Sequence, residues 1–126
     1  MRKGTSLLLP VLLLGLAAAG GAAEPQGDKG ATVDVHLSEY AIKMPETLPA
    51  GPTTFVVHND GIKVHSFRIE GPGLSEAILA KPVPPQETEN LQVTLQPGDY
   101  KVYCPVGSHE VKGMKMALKV TAKPGG

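Results

Sequence analysis

Between residues 31 and 122 the apolar side chains fall in short alternating runs, each closed within a few residues by glycine, proline or asparagine. A chain written this way forms strands, because side chains of a strand point alternately to its two faces. Val33, Val35 and Leu37 alternate with polar neighbours. Tyr40 to Met44 predicts a second short strand that Pro45 ends, and Pro49-Ala50-Gly51-Pro52 predicts a turn. Thr53 to His58, rich in β-branched and aromatic residues, predicts a third strand, and Asn59-Asp60-Gly61 carries a hairpin signal. Lys63 to Glu70 follows as a strand with His65, Phe67 and Ile69 on one face, an apolar company that turns His65 inward. Gly71-Pro72-Gly73 stops it, Leu74 to Ala80 is expected to form a short helix, and the proline-bearing stretch 81–88 a loop. Leu91, Val93 and Leu95 alternate again before the turn Gln96-Pro97-Gly98-Asp99. Tyr100, Val102 and Cys104 form the inward set of the next strand, and Met116, Leu118 and Val120 mark the last, with a loop over 105–113 between them. Many short strands with turn signals between them predict an all-β sandwich or barrel, one domain over 31–122 with a tail at 123–126.

The first residues read differently. Arg2 and Lys3 precede an apolar stretch from Leu7 to Ala19, and Gly21-Ala22-Ala23 supplies the small residues of a cleavage site. This predicts a signal peptide over 1–23, cut after Ala23 with Ala19 as second choice, then a flexible lead-in over 24–30. The apolar stretch is shorter than the ~20 residues that span a bilayer, so no stable membrane insertion is expected after cleavage. The protein is expected to be exported, in the periplasm or an equivalent compartment.

The 126-residue chain balances 12 basic against 12 acidic residues, and losing Arg2 and Lys3 leaves ten against twelve. That charge is too small and too mixed to favour nucleic acid or an anionic membrane as partner. The single cysteine is more telling. Exported cysteines usually pair. Cys104 has no partner in the chain, which suggests an intermolecular bridge, a reactive thiol or a metal ligand. An inert core thiol is the bland alternative.

Its neighbours weigh against that alternative. Four residues separate Cys104 from His109, and four separate His109 from Met114, all on one loop between two predicted strands. With His65 on a strand face upstream, the set is two imidazoles, one thiolate and one thioether. Such mixed softness suits copper in both oxidation states. Met116 competes with Met114, but it continues the strand alternation with Leu118 and Val120 and is assigned to the core. Gly113 allows the tight turn that would aim Met114 at the site. Met44, His36 and His58 are read as packing or surface residues, and Glu110 and Lys112 as loop charges.

The stretch Tyr103 to Met114 resembles the ligand loop of the cupredoxins, the plastocyanin and azurin family. Asn59-Asp60-Gly61 with His65-Ser66-Phe67 resembles that family's upstream ligand region, and the resemblance covers roughly residues 31 to 122. It implies a Greek-key β-sandwich with one type 1 copper near one end. His65, Cys104 and His109 would be the equatorial ligands, Met114 the axial one, and the edge of the His109 ring the electron port. Two positions depart from the pattern. Ser66 stands where plastocyanin and azurin place an Asn, so the clasp to the ligand loop is either weaker or made by the Ser hydroxyl. Pro105 has no N–H to give the thiolate.

The resemblance implies electron carriage by a monomer that meets a transient redox partner, such as a cytochrome, an oxidase or a reductase. A copper carrier or chaperone is the alternative. An enzyme is not expected, since multicopper enzymes need His-x-His pairs and this chain has four His and no such pair.

Overall fold

The computed structural model describes residues 30–123. The leader, the lead-in and the last three residues of the expected tail lie outside the described residues, apart from Gly30. Within them are nine strands and no helix: β1 (Ala31–Ser38), β2 (Ala41–Lys43), β3 (Thr47–Pro49), β4 (Gly51–Asn59), β5 (Arg68–Gly71), β6 (Leu74–Ile78), β7 (Thr88–Leu95), β8 (Gly98–Tyr103) and β9 (Lys115–Thr121). They form two sheets, ordered β2-β1-β4-β7 and β3-β9-β8-β5-β6. The predicted β-sandwich is the fold observed.

The alternation decides which face each strand buries. In β1, Val33, Val35 and Leu37 are buried while Thr32, Asp34 and His36 are exposed. β1 runs parallel to β4 with Val33 opposite Phe55 and Val35 opposite Val57, so one sheet presents a continuous apolar face. Ile69, Tyr100, Val102, Leu118 and Val120 answer from the other sheet. Phe55 and Phe67 meet across the interior with ring centroids 5.3 Å apart. Each fully buried side chain of this size contributes roughly 1.5–3 kcal/mol relative to exposure.

Four expectations are corrected. Leu74–Ile78 is the strand β6, antiparallel to β5 with Gly71 opposite Leu74, rather than the start of a helix. Leu, Glu and Ala favour helix locally, but a stretch this short cannot repay helix nucleation, whereas pairing with β5 supplies a ladder and buries Ala77. Asn59-Asp60-Gly61 does not make a hairpin. β4 pairs with β1 and β7, while β5 pairs with β8 and β6, so this segment carries the chain from one sheet to the other. His65 is accordingly not within a long strand. It forms an isolated bridge to Val83, whose N–H donates to the His65 carbonyl at 2.7 Å. The turn expected over Pro49-Ala50-Gly51-Pro52 narrows to a bend at Ala50, between the edge strand β3, which pairs parallel to β9, and the start of β4.

Candidate metal centre

β8 and β9 are antiparallel neighbours with Tyr103 opposite Lys115. The loop between them therefore begins and ends at adjacent positions, which sets Cys104 beside Met114. The Cys104 N–H donates to the Met114 carbonyl at 3.1 Å. The rest of the loop folds back on itself. The His109 N–H donates to the Val106 carbonyl at 3.0 Å, and the Met114 N–H returns to the His109 carbonyl at 3.1 Å. Gly107 (φ 50°) and Gly113 (φ 115°) take backbone conformations that side-chain-bearing residues rarely adopt, and these close the loop.

His65 arrives from the crossover segment. Asn59, itself buried, organises that segment. Its Nδ2 donates to the carbonyls of Lys63 at 2.7 Å and Val83 at 2.8 Å, and its Oδ1 accepts the Gly61 N–H at 2.8 Å. The backbone on both sides of the His65–Val83 bridge is thus fixed by one amide.

The outcome is a cluster of His65, Cys104 and His109 whose ligand atoms all lie within 4.8 Å of one another. Cys104 Sγ is 3.9 Å from His65 Nδ1 and 3.6 Å from His109 Nδ1. A first-row ion held at roughly 2.0 Å to nitrogen and 2.3 Å to sulfur in a trigonal plane needs a spacing of about 3.7 Å between them. The three donors fit one ion. One thiolate and two imidazoles are a set that copper accepts in both of its common oxidation states. His65, Cys104 and Met114 are fully buried, whereas His109 is half-buried and reaches the surface. Burial, with the neighbouring His65 and Lys112, lowers the His109 pKa below its ordinary 6.5, a shift that favours the neutral ring a metal needs.

Other residues complete the surroundings. The Ser66 contact with the thiol is through its backbone, whose N–H points at Cys104 Sγ from 3.4 Å. Tyr40 lies edge-on to the His109 ring at 5.2 Å, and the Lys112 ammonium stands over the Tyr40 ring at 5.0 Å. Met116 is half-buried on β9 opposite Val102, in the strand position expected of it. His36 and His58 stack on the outer face of the other sheet, hydrogen-bonded to Asp60 and Asp34, away from the cluster.

Sequence reasoning missed Glu39. Its Oε2 lies 2.8 Å from His65 Nε2 and accepts the Lys63 N–H at 3.0 Å, while the Ile62 N–H reaches both oxygens at 3.1 and 3.2 Å. The hydrogen bond from His65, with those from the backbone, holds the Glu39 carboxyl down at about 2, well below its usual 4.5. Gly61 is needed here, since a Cβ at that position would overlap the carboxylate. No spacing along the chain links residues 39 and 65, so no local signal was there to read.

No protein-family model matches the chain, and no curated protein matches it. Solved structures do. Reduced auracyanin from the photosynthetic bacterium Roseiflexus castenholzii matches with a TM-score of 0.58 at 19% identity, over 71% of this chain and 96% of that one. Auracyanin B matches with a TM-score of 0.62 at 18% identity, over 79% and 92%. A multicopper oxidase from Campylobacter jejuni, described as a metallo-oxidase, matches with a TM-score of 0.58 at 17% identity, over 79% of this chain but only 32% of its own. The chain has the cupredoxin fold, with a three-residue His-Cys-His cluster at one end of the sandwich.

Proposed function

We propose that this chain is an exported blue copper protein that carries single electrons between redox proteins and catalyses no reaction of its own. The observation that carries the reading is the gathering of one buried thiol and two imidazole nitrogens within 4.8 Å on a cupredoxin scaffold. His65, Cys104 and His109 would hold the ion, and Met114 would supply a weaker fourth donor. Bound copper supplies one-electron Cu(I)/Cu(II) chemistry.

The chain's own part is to hold donors still and to keep water away. Cys104 and Met114 are anchored by strand ends and by the hydrogen bond between their backbones, and His65 is pinned through Val83 and Asn59. Full burial of Cys104, His65 and Met114 excludes water from three sides. Of these four residues only His109 reaches the surface, and its edge would be the path to a partner. A transient redox protein, such as a cytochrome, an oxidase or a reductase, would dock there weakly.

The test is a visible and EPR spectrum of copper-loaded protein. An intense thiolate-to-Cu(II) band is expected, and Cys104→Ser should abolish it. A band that survives the substitution overturns the assignment. Rapid transfer of Cu(I) to a competing chelator protein would favour a carrier instead.

A further inference from the structure

We infer that Glu39 is a positioning residue for the metal centre, which selects the ligand-ready tautomer of His65 and biases the bound ion toward its oxidised state. The inference rests on the reading above that His65 holds the ion.

An ionised carboxylate only accepts hydrogen bonds. With Glu39 Oε2 at 2.8 Å from His65 Nε2, the proton of the neutral ring belongs on Nε2. The lone pair is then on Nδ1, the atom that lies 3.9 Å from Cys104 Sγ. A ligating histidine whose other nitrogen donates to a carboxylate is oriented and made more basic by it. Here the orientation exists before any ion binds, since His65 is fully buried and Glu39 is its polar partner.

The carboxylate is also built into its position. Two backbone N–H groups, of Ile62 and Lys63, hold it from the crossover segment. Gly61 leaves room for it, and Asn59 fixes the turn that presents those amides. Glu39 follows directly on β1, so its backbone is fixed by the other sheet. The carboxylate therefore ties the end of β1 to the crossover segment through His65. It also places a full negative charge one imidazole away from the cluster. Oxidation of an ion there adds one positive charge, which this carboxylate favours.

The experiment compares wild type, Glu39→Gln and Glu39→Ala. Glutamine keeps an acceptor for His65 and Lys63 but removes the charge, whereas alanine removes both. In the metal-free proteins, nitrogen NMR of His65 should show Nε2 protonated and Nδ1 bare in wild type and Glu39→Gln, and mixed tautomers in Glu39→Ala. Wild-type protein with the proton on Nδ1 overturns the positioning role. In the copper-loaded proteins, Glu39→Gln should lower the preference for Cu(II) over Cu(I) about tenfold, as expected for one partly screened charge within a few bond lengths. That is an upward shift in potential of about 59 mV for a one-electron couple. A potential equal to wild type, with the visible band retained, overturns the charge role. A merely structural contact would lower the melting temperature in Glu39→Ala and leave the Glu39→Gln potential where it was. If wild-type protein fails to take up copper, the functional reading falls, while the tautomer measurement still decides whether Glu39 orients His65.

Discussion

Asn59 offers the sharpest test of how the centre is supported, because it touches no candidate ligand side chain. Its side chain is 1% exposed and makes three hydrogen bonds, at 2.7, 2.8 and 2.8 Å, to Lys63, Val83 and Gly61. Each is worth about 1 kcal/mol net. Truncation to alanine does not strand every partner. The Val83 carbonyl keeps the His65 N–H at 3.2 Å, and Lys63 is exposed, so water can replace the lost donor there. The Gly61 N–H is buried and loses its acceptor. The expected loss for Asn59→Ala is therefore about 3 kcal/mol. For a domain of this size that lowers the melting temperature by roughly 12–24 °C. Asn59→Asp separates donors from volume. It keeps the shape and the acceptor for Gly61 but sets a carboxylate against two carbonyl oxygens, so it should cost at least as much as alanine. Urea unfolding of the metal-free proteins measures both, with a shifted midpoint and an unchanged slope. A loss below about 1 kcal/mol for alanine, or an aspartate variant milder than alanine, refutes the argument that these donors hold the crossover segment.

Two further outcomes are expected. Met114→Leu should retain copper and raise the potential, because an apolar side chain disfavours Cu(II), while Met116→Leu should leave the potential unchanged; voltammetry showing the reverse would move the fourth donor to Met116. The Glu39 carboxyl sits at about 2 in the folded protein against an ordinary 4.5, so its contribution is fully present above pH 4.5 and is lost as pH falls through 2. The stability difference between metal-free wild type and Glu39→Gln should accordingly shrink between pH 5 and 2.5, and a difference that stays constant on acidification would contradict the hydrogen bonding to the ionised carboxylate.

Period-two alternation was enough to predict a sandwich, because each strand's apolar face can be buried only against another such face. The residues Val33, Val35, Leu37, Tyr100, Val102 and Cys104 were legible as core from that pattern alone, and all are buried. The candidate donors of the loop could be proposed for a related reason. Cys104, His109 and Met114 lie close in sequence between two strands, so short-range geometry limits how far apart they can be. His65 was harder, since its apolar neighbours indicated an inward direction but not its bridge to Val83.

What lies between distant segments was decided only in three dimensions. Leu74–Ile78 became a strand because β5 lay beside it, against its own local preference. Asn59-Asp60-Gly61 turned into a passage between sheets because β4 already had partners on both edges. Glu39 reached His65 across 26 positions through the order in which the strands are stacked. The chain alone set which side chains had to be hidden and which donors shared a loop, since both follow from local spacing. Tertiary packing set which carboxylate and which amides surround them, because contacts between remote segments depend on strand order and leave no periodic trace along the sequence.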